Sequence, residues 1–409
     1  MLSTATPDAT PDATIHAAPA VLHFHATRPE RVLPAVDPAL LQARPSGLMI
    51  EYTSRCNLRC RYCSKSNPGD DEIPGRDEDM QAQTLEQTLA LIASQPMAEL
   101  LLAGTGESTF HKDWVTDLPR LIQAGKAANP KCWVHLNSNL AMKYGTREFD
   151  VLAQLDGIVV SIDTADRELT RQVRAKSDLA LITHNMLALK AHCVTRGLRM
   201  PQLSINVTLY EGAARGLFEL VTMMAELPVS KVVISDMVEL EAAKINGLRA
   251  LNTDHRATFI EAVQQLQKCI DFVARTKAFA LVVQPHMVER INAGIAQLNT
   301  GAAPAAAPVA GAMPAAPAEG QTKLCLQPWT RFTVAADGAL FPCCVTDMPA
   351  VGHIGRAGQG IDGPSIRAFR QALLVGEVPP VCRECTNAPS ASTAELQHAV
   401  RSLRPALAQ

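Results

Sequence analysis

Cysteine is the residue to start from, because its thiolate is both a nucleophile and a soft metal ligand. The 409-residue chain has eleven, and eight of them fall in two groups far apart in sequence. The first group is Cys56-Asn-Leu-Arg-Cys60-Arg-Tyr-Cys63. Three thiolates in so short a stretch can wrap one corner of an iron–sulfur cube and ligate three of its irons, leaving the fourth open to an exogenous ligand. A zinc knuckle is the competing reading, although a closed zinc site needs a fourth ligand and none is adjacent. The second group is Cys325, the pair Cys343-Cys344, and Cys382-Arg-Glu-Cys385. Asp337-Gly338 between two β-patterned runs is a hairpin signal that brings Cys325 and Cys343 to the two ends of one hairpin. Four Cys around one point suit a closed zinc site or a fully ligated [4Fe–4S] cluster. On a regular strand Cys343 and Cys344 point to opposite faces, so one of them binds. An odd total, in a chain too large to need staples, argues for metal rather than disulfides. The lone Cys132, Cys193 and Cys269 read as small buried hydrophobes. His23 and His25 are spaced as a metal pair but have no acidic partner nearby.

The elements that position these residues alternate. Candidate strands are Leu48–Tyr52, Leu100–Ala103, Trp133–Leu136, Gly157–Ile162, Leu203–Leu209 and Lys231–Ser235, with Phe279–Val283 as a further one. Amphipathic stretches lie between them near 82–95, 114–127, 147–155, 179–196, 214–226 and 254–277, and another at Ser365–Leu374 precedes Cys382. Six strand-then-helix repeats predict an α/β fold with a parallel sheet and right-handed crossovers. In such a sheet, residues at the C-terminal ends of strands line the active face, and Cys56–Cys63 directly follows the first strand. Residues 1–45, rich in Ala, Pro and Thr, read as a flexible extension, and 301–320 (GAAPAAAPVAGAMPAAPAEG) as a low-complexity linker. These divide the chain into a body at 46–300, a small C-terminal module at 321–390 and a tail at 391–409.

The C-x3-C-x2-C spacing, with Tyr62 before the last Cys, resembles the motif of radical S-adenosylmethionine (radical SAM) enzymes. The resemblance implies a partial (β/α)6 barrel whose open iron chelates the methionyl amino and carboxylate groups of SAM. Reductive cleavage of SAM there yields a 5′-deoxyadenosyl radical that abstracts hydrogen from substrate. Gly104-Thr-Gly-Glu-Ser108 is similar to the family's Gly-Gly-Glu-Pro segment, departing at Thr105 and Ser108, and implies contact of Gly106 and Glu107 with the SAM amino group. Asn137-Ser138-Asn139 and Ser161-Ile162-Asp163 end strands where relatives bind the ribose; helix capping is an equal reading for each. Arg174 resembles an Arg that meets the SAM carboxylate, and Asn206 is a further strand-end contact. The C-x12-G-x4-C spacing followed by C-x2-C resembles the C-terminal SPASM/Twitch modules, most closely the shorter Twitch arrangement with one auxiliary cluster. That spacing favours Cys343 with Cys325, Cys382 and Cys385, and leaves Cys344 spare.

A net charge of −2 gives no basic footprint for nucleic acid or an anionic membrane, and no run is long and apolar enough to span a bilayer. The N-terminus lacks the charged and apolar regions of a signal peptide, and the cluster chemistry implies a reducing cytoplasm. The expected activity is oxidation or epimerisation of a small metabolite such as a sugar or cyclitol. The alternatives are maturation of a ribosomal peptide or protein, and a non-enzymatic iron–sulfur electron carrier. A flavodoxin or ferredoxin is the expected reductant.

Overall fold

The computed structural model describes residues 34–63, 65, 77–237, 241–300, 318–344, 348–383, 385 and 388–403. Seven strands run parallel in chain order: β1 (Gly47–Ile50), β2 (Glu99–Leu102), β3 (Trp133–Ser138), β4 (Gly157–Ser161), β5 (Gln202–Leu209), β6 (Val229–Asp236) and β7 (Ala280–Val283). β8 (Arg331–Val334), β9 (Ala339–Phe341) and β10 (Gly352–His353) come from the C-terminal module, giving the order β10-β9-β8-β1-β2-β3-β4-β5-β6-β7. Its two ends do not pair with each other, so the barrel is partial. The count differs from the expected six because β7 is a true seventh strand.

Period-two alternation gives the sheet two unlike faces. On β5, Leu203, Ile205, Val207 and Leu209 are buried, while Asn206 and Thr208 stay half-exposed. The apolar face is covered by α1 (Ala82–Ser94), α2 (Trp114–Ala128), α3 (Thr146–Leu152), α4 (Arg167–Val173), α5 (Leu179–Arg196), α6 (Leu217–Ala225) and α7 (Arg256–Thr276), and α8 (Pro285–Thr300) follows β7. Helix α5 starts on Asp178, whose side chain accepts from Ala180 N, and ends on Gly197 at φ +65°, a left-handed position that favours glycine. Its buried stripe is Leu179, Ile182, Met186, Leu189 and Cys193; on α7 the stripe is Phe259, Ala262, Leu266, Cys269 and Val273. Both thiols continue a three-four spacing, and with Cys132 they are core residues as expected.

The C-terminal module is not a separate layer. β8 pairs parallel with β1, Gly47 opposite Arg331, and so extends the same sheet. The boundaries at its flanks also move. Residues 37–44 are tied down rather than free: Leu40 is buried, its carbonyl accepts from Trp329 Nε1 at 2.6 Å, and Ala43 N donates to Asp362 Oδ1 at 2.7 Å. The tail begins with α10 (Thr393–Arg401), opened by a Ser392–Glu395 capping box and held by buried Leu396 and Val400. Both segments order because each carries apolar side chains that α9 (Pro364–Leu374) and its surroundings cover. Residues 1–33 of the extension, with His23 and His25, and most of the 301–320 linker lie outside the described residues.

Candidate iron–sulfur and S-adenosylmethionine site

Cys56, Cys60 and Cys63 are half-buried on the loop that leaves the C-terminal end of β1. Backbone bonds fix that loop. Arg59–Cys60 pairs antiparallel with Arg174–Ala175, Arg61 N donates to Val173 O at 2.8 Å, and Leu58 N donates to Cys56 Sγ at 3.4 Å. Burial pushes the Cys60 thiol up to about 12, with the Arg174 charge pulling the other way, and pushes Cys56 up to about 11. Thiols that burial keeps protonated at neutral pH become thiolates when a metal centre takes the proton's place. Three sulfurs on one fixed loop, two of them so held, fit the expected cluster.

Behind that loop, residues 104–108 press against its root. A Cβ on Gly106 would lie 2.2 Å from Thr53 O and 2.5 Å from Arg55 O, so only glycine lets the two backbones touch, and Glu107 N donates to Arg55 O at 2.8 Å. The Glu107 side chain has a structural part of its own. Its carboxylate is buried and accepts from Ser138 Oγ (2.9 Å), Thr109 Oγ1 (2.8 Å) and Asn139 N (2.7 Å), which staples the loop to the end of β3. Glu51 does the same from the other side, accepting from Thr105 N at 2.5 Å and Thr105 Oγ1 at 2.9 Å. Gly106→Ala is expected to force these loops apart, so that iron bound at the first thiol set falls while far-ultraviolet circular dichroism is kept; full iron retention would contradict this packing account.

Arg174 is likewise committed. Its Nε and Nη2 donate to Asp163 at 2.7 and 2.9 Å, and Asp163 also accepts from Tyr62 OH at 2.8 Å and Thr208 N at 3.0 Å. The guanidinium also lies 5.5 Å from the Tyr62 ring centroid. The sequence reading placed Arg174 and Tyr62 at the cofactor and Asp163 in a strand-end segment read as a ribose contact or helix cap; the structure makes Asp163 the buried anion that joins Arg174 and Tyr62. Asn137 is exposed, and Ser161 and Asn206 are half-buried register partners on the open face, where Ser235 Oγ donates to Asn206 Oδ1 at 3.2 Å.

In the second thiol set, Cys325 and Cys382 each have other cysteines of the set nearby, Cys344 among the neighbours of Cys325. Charge on Cys385 or Cys344 would raise the Cys325 pKa, and charge on Cys325, Cys343 or Cys385 would raise that of Cys382. Burial pushes Cys382 up to about 12 and Cys325 up to about 11. Regular strand geometry ends at Phe341, so the alternation that would send Cys343 and Cys344 to opposite faces does not carry into this turn, and Cys344 lies near Cys325 and Cys385. Because β8 and β1 are parallel, this set lies at the N-terminal end of the strands and Cys56–Cys63 at the C-terminal end. The four residues of β1 between them span about 13 Å.

The profile of the Radical SAM superfamily matches residues 50–201, and that of the SPASM iron-sulfur cluster-binding domain matches residues 325–386. The chain carries a radical SAM domain and a SPASM domain. With these domains it binds SAM and a [4Fe–4S] cluster, and its SPASM domain carries auxiliary iron–sulfur. GTP 3′,8-cyclase of Chlorobaculum tepidum is 28% identical over 171 residues, 39% of this chain and 48% of the relative; the chain spans about half the length of that curated relative. SuiB of Streptococcus suis bound to S-adenosylmethionine superposes at a TM-score of 0.54 and 14% identity over 80% of this chain and 68% of SuiB. Native anSMEcpe with bound AdoMet gives 0.55 and 16% over 83% and 86%. At those identities the likeness is one of fold. Among the described residues no helix is long and apolar enough to cross a membrane.

Proposed function

We propose that this radical SAM protein oxidises a C–H position of a small metabolite, such as a sugar or cyclitol, bound over the open face of the sheet. The observation that carries the reading is the placement of two thiol sets at opposite ends of the same parallel strands, with a polar face between them. When bound, the two clusters and SAM supply hydrogen-atom abstraction at one end and an electron acceptor at the other. The chain's own part is positioning. The 104–107 backbone, packed on Gly106, faces the methionyl amino group, and Asn137 and Ser161, with Asn206, offer polar groups to the ribose. Glu107 and the Asp163–Arg174–Tyr62 group fix the loops that hold both. Cys325, Cys343, Cys382 and Cys385 hold the auxiliary centre, with Cys344 in reserve. A cytoplasmic setting and a flavodoxin or ferredoxin as reductant follow from the same reading.

Peptide maturation is the second reading, supported by similar folds in SuiB bound to its precursor peptide SuiA and in anSMEcpe bound to the Cp18Cys peptide. Anaerobic reconstitution with iron counting, then assay of 5′-deoxyadenosine after dithionite and SAM, tests the shared chemistry. About eight irons per chain and 5′-deoxyadenosine formation are expected; eight irons with none formed would leave an electron carrier. Supplying candidate sugars, cyclitols and peptides to the same assay separates the substrate classes. Cys382→Ala with Cys385→Ala is expected to keep 5′-deoxyadenosine formation and lose oxidised product. Turnover that survives the pair would remove the electron-acceptor role.

A further inference from the structure

One charged group on the open face has no part in the site above. Arg331 opens β8, Glu99 opens β2, and β1 runs between them with Gly47 opposite both. A Cβ at Gly47 would lie 3.1 Å from Arg331 Nε and 3.6 Å from Glu99 Oε2, so the two long side chains meet over the gap that glycine leaves. There Arg331 Nη2 is bonded to Glu99 Oε2, and the other carboxylate oxygen, Oε1, is 2.8 Å from His135 Nε2 on β3. The His135 hydrogen bond foremost, and the Arg331 charge after it, hold the Glu99 carboxyl below its usual range although burial opposes them. The residues after these three, Leu100, Leu136 and Phe332, are buried on the opposite face.

This row ends at the auxiliary thiols. Thr333 pairs with Phe341 in the β8–β9 hairpin, which brings Arg331 level with the turn carrying Cys343 and Cys344, and Thr333 Oγ1 donates to the Cys343 carbonyl at 2.7 Å. At Cys344, burial pushes the thiol up, Cys385 adds to that, and the nearby Arg331 charge opposes both. Arg331 is thus a cation beside the second set, and its side chain is 38% exposed, so the charge is only partly screened.

We infer that Arg331 sets the reduction potential of the auxiliary iron–sulfur centre, with Glu99 as the positioning residue that holds its guanidinium over Gly47. Adding one electron makes a thiolate-ligated cluster more negative, and a fixed cation beside it favours that state, because cluster potential follows local charge and hydrogen bonding. Glu99 offsets part of the cation's charge, and its second bond to His135 keeps the carboxylate from following Arg331 if the guanidinium moves. The inference rests on the auxiliary centre being present, and it deepens the acceptor role proposed above.

The test is an EPR-monitored redox titration of the reconstituted full chain, with the SAM-binding centre recognised by its spectral response to added SAM. Arg331→Gln is expected to lower the auxiliary midpoint by about tenfold in the one-electron equilibrium constant, about 59 mV. Arg331→Lys should keep most of the wild-type value. Glu99→Gln, which removes the offsetting negative charge, should raise it, and the SAM-binding centre should not move in any variant. A merely structural role would shift neither midpoint or would lower both. With eight irons per chain, an auxiliary midpoint unchanged in Arg331→Gln would overturn this inference alone. Midpoints that shift as expected, in a chain whose turnover survives Cys382→Ala with Cys385→Ala, would support it and reject the proposed oxidation.

Discussion

Asp163→Ala is expected to destabilise the fold by about 3–5 kcal/mol and to strip iron from the first thiol set. Asp163 is 3% exposed and Arg174 is 7% exposed, so removing the carboxylate leaves a guanidinium buried without its counter-ion. The same change frees Tyr62 OH and Thr208 N, which both donate to Asp163. The loss reaches the cluster loop directly, because the backbone of Arg174 pairs with Cys60 and Tyr62 lies between Cys60 and Cys63. Asp163→Asn keeps the shape without the charge and should fall between the two. Urea unfolding gives the stability, and iron per chain after reconstitution gives the site. Wild-type iron content with a stability change under about 1 kcal/mol would refute the network's role.

Arg370 carries the second large effect. Its side chain is fully buried on α9, yet it satisfies four acceptors: Pro328 O at 2.8 Å, Leu41 O at 2.6 Å, Asp362 Oδ1 at 2.7 Å and Ile361 O at 2.8 Å. The guanidinium also lies 5.7 Å from the Phe332 ring centroid. Arg370→Ala leaves three carbonyls without the guanidinium and Asp362 Oδ1 with Ala43 N but no cation, at an expected cost of about 3–5 kcal/mol. The stretch 37–44 should loosen with it, which limited proteolysis at Arg44 would read. Arg370→Lys should rescue only part of the loss, because one ammonium cannot reach acceptors arranged for a planar fork. A lysine variant as stable as the wild type would show that charge alone suffices.

What the sequence revealed depended on distance along the chain. The Cys56–Cys63 loop and the Cys382–Cys385 pair could be read because their ligands are fixed by short spacings. Cys193 and Cys269 could be read because each completes a buried helical stripe. The Ser392–Glu395 capping box was equally local and was missed inside a stretch assigned to the tail, where a polar, Ala-rich composition hid α10. The Arg331–Glu99–His135 row was beyond reach for a different reason. It exists only once β1, β2, β3 and β8 lie side by side, and nothing near Arg331 announces Gly47 as its neighbour. Glu107 and Arg174 stand out in the sequence as residues but not with their partners: only the fold shows that their charged ends bond to Ser138, Asn139 and Asp163.

The parallel pairing of β1 with β8 bears on how the protein is made. Ser46 and Thr330, which bond beside that pairing, are 284 residues apart in sequence. A ribosome adding about 5–20 residues per second needs roughly 15 to 60 s to cover that distance, and for that time β1 has a bare edge facing the cell. An unpaired strand edge is a template for wrong partners. The nascent body therefore leaves the ribosome with its first thiol loop formed next to an unfinished sheet. Chaperone cover or early cluster insertion would have its greatest effect on yield in that interval, before Arg331–Val334, at the start of about the last fifth of the chain, arrives to close the edge.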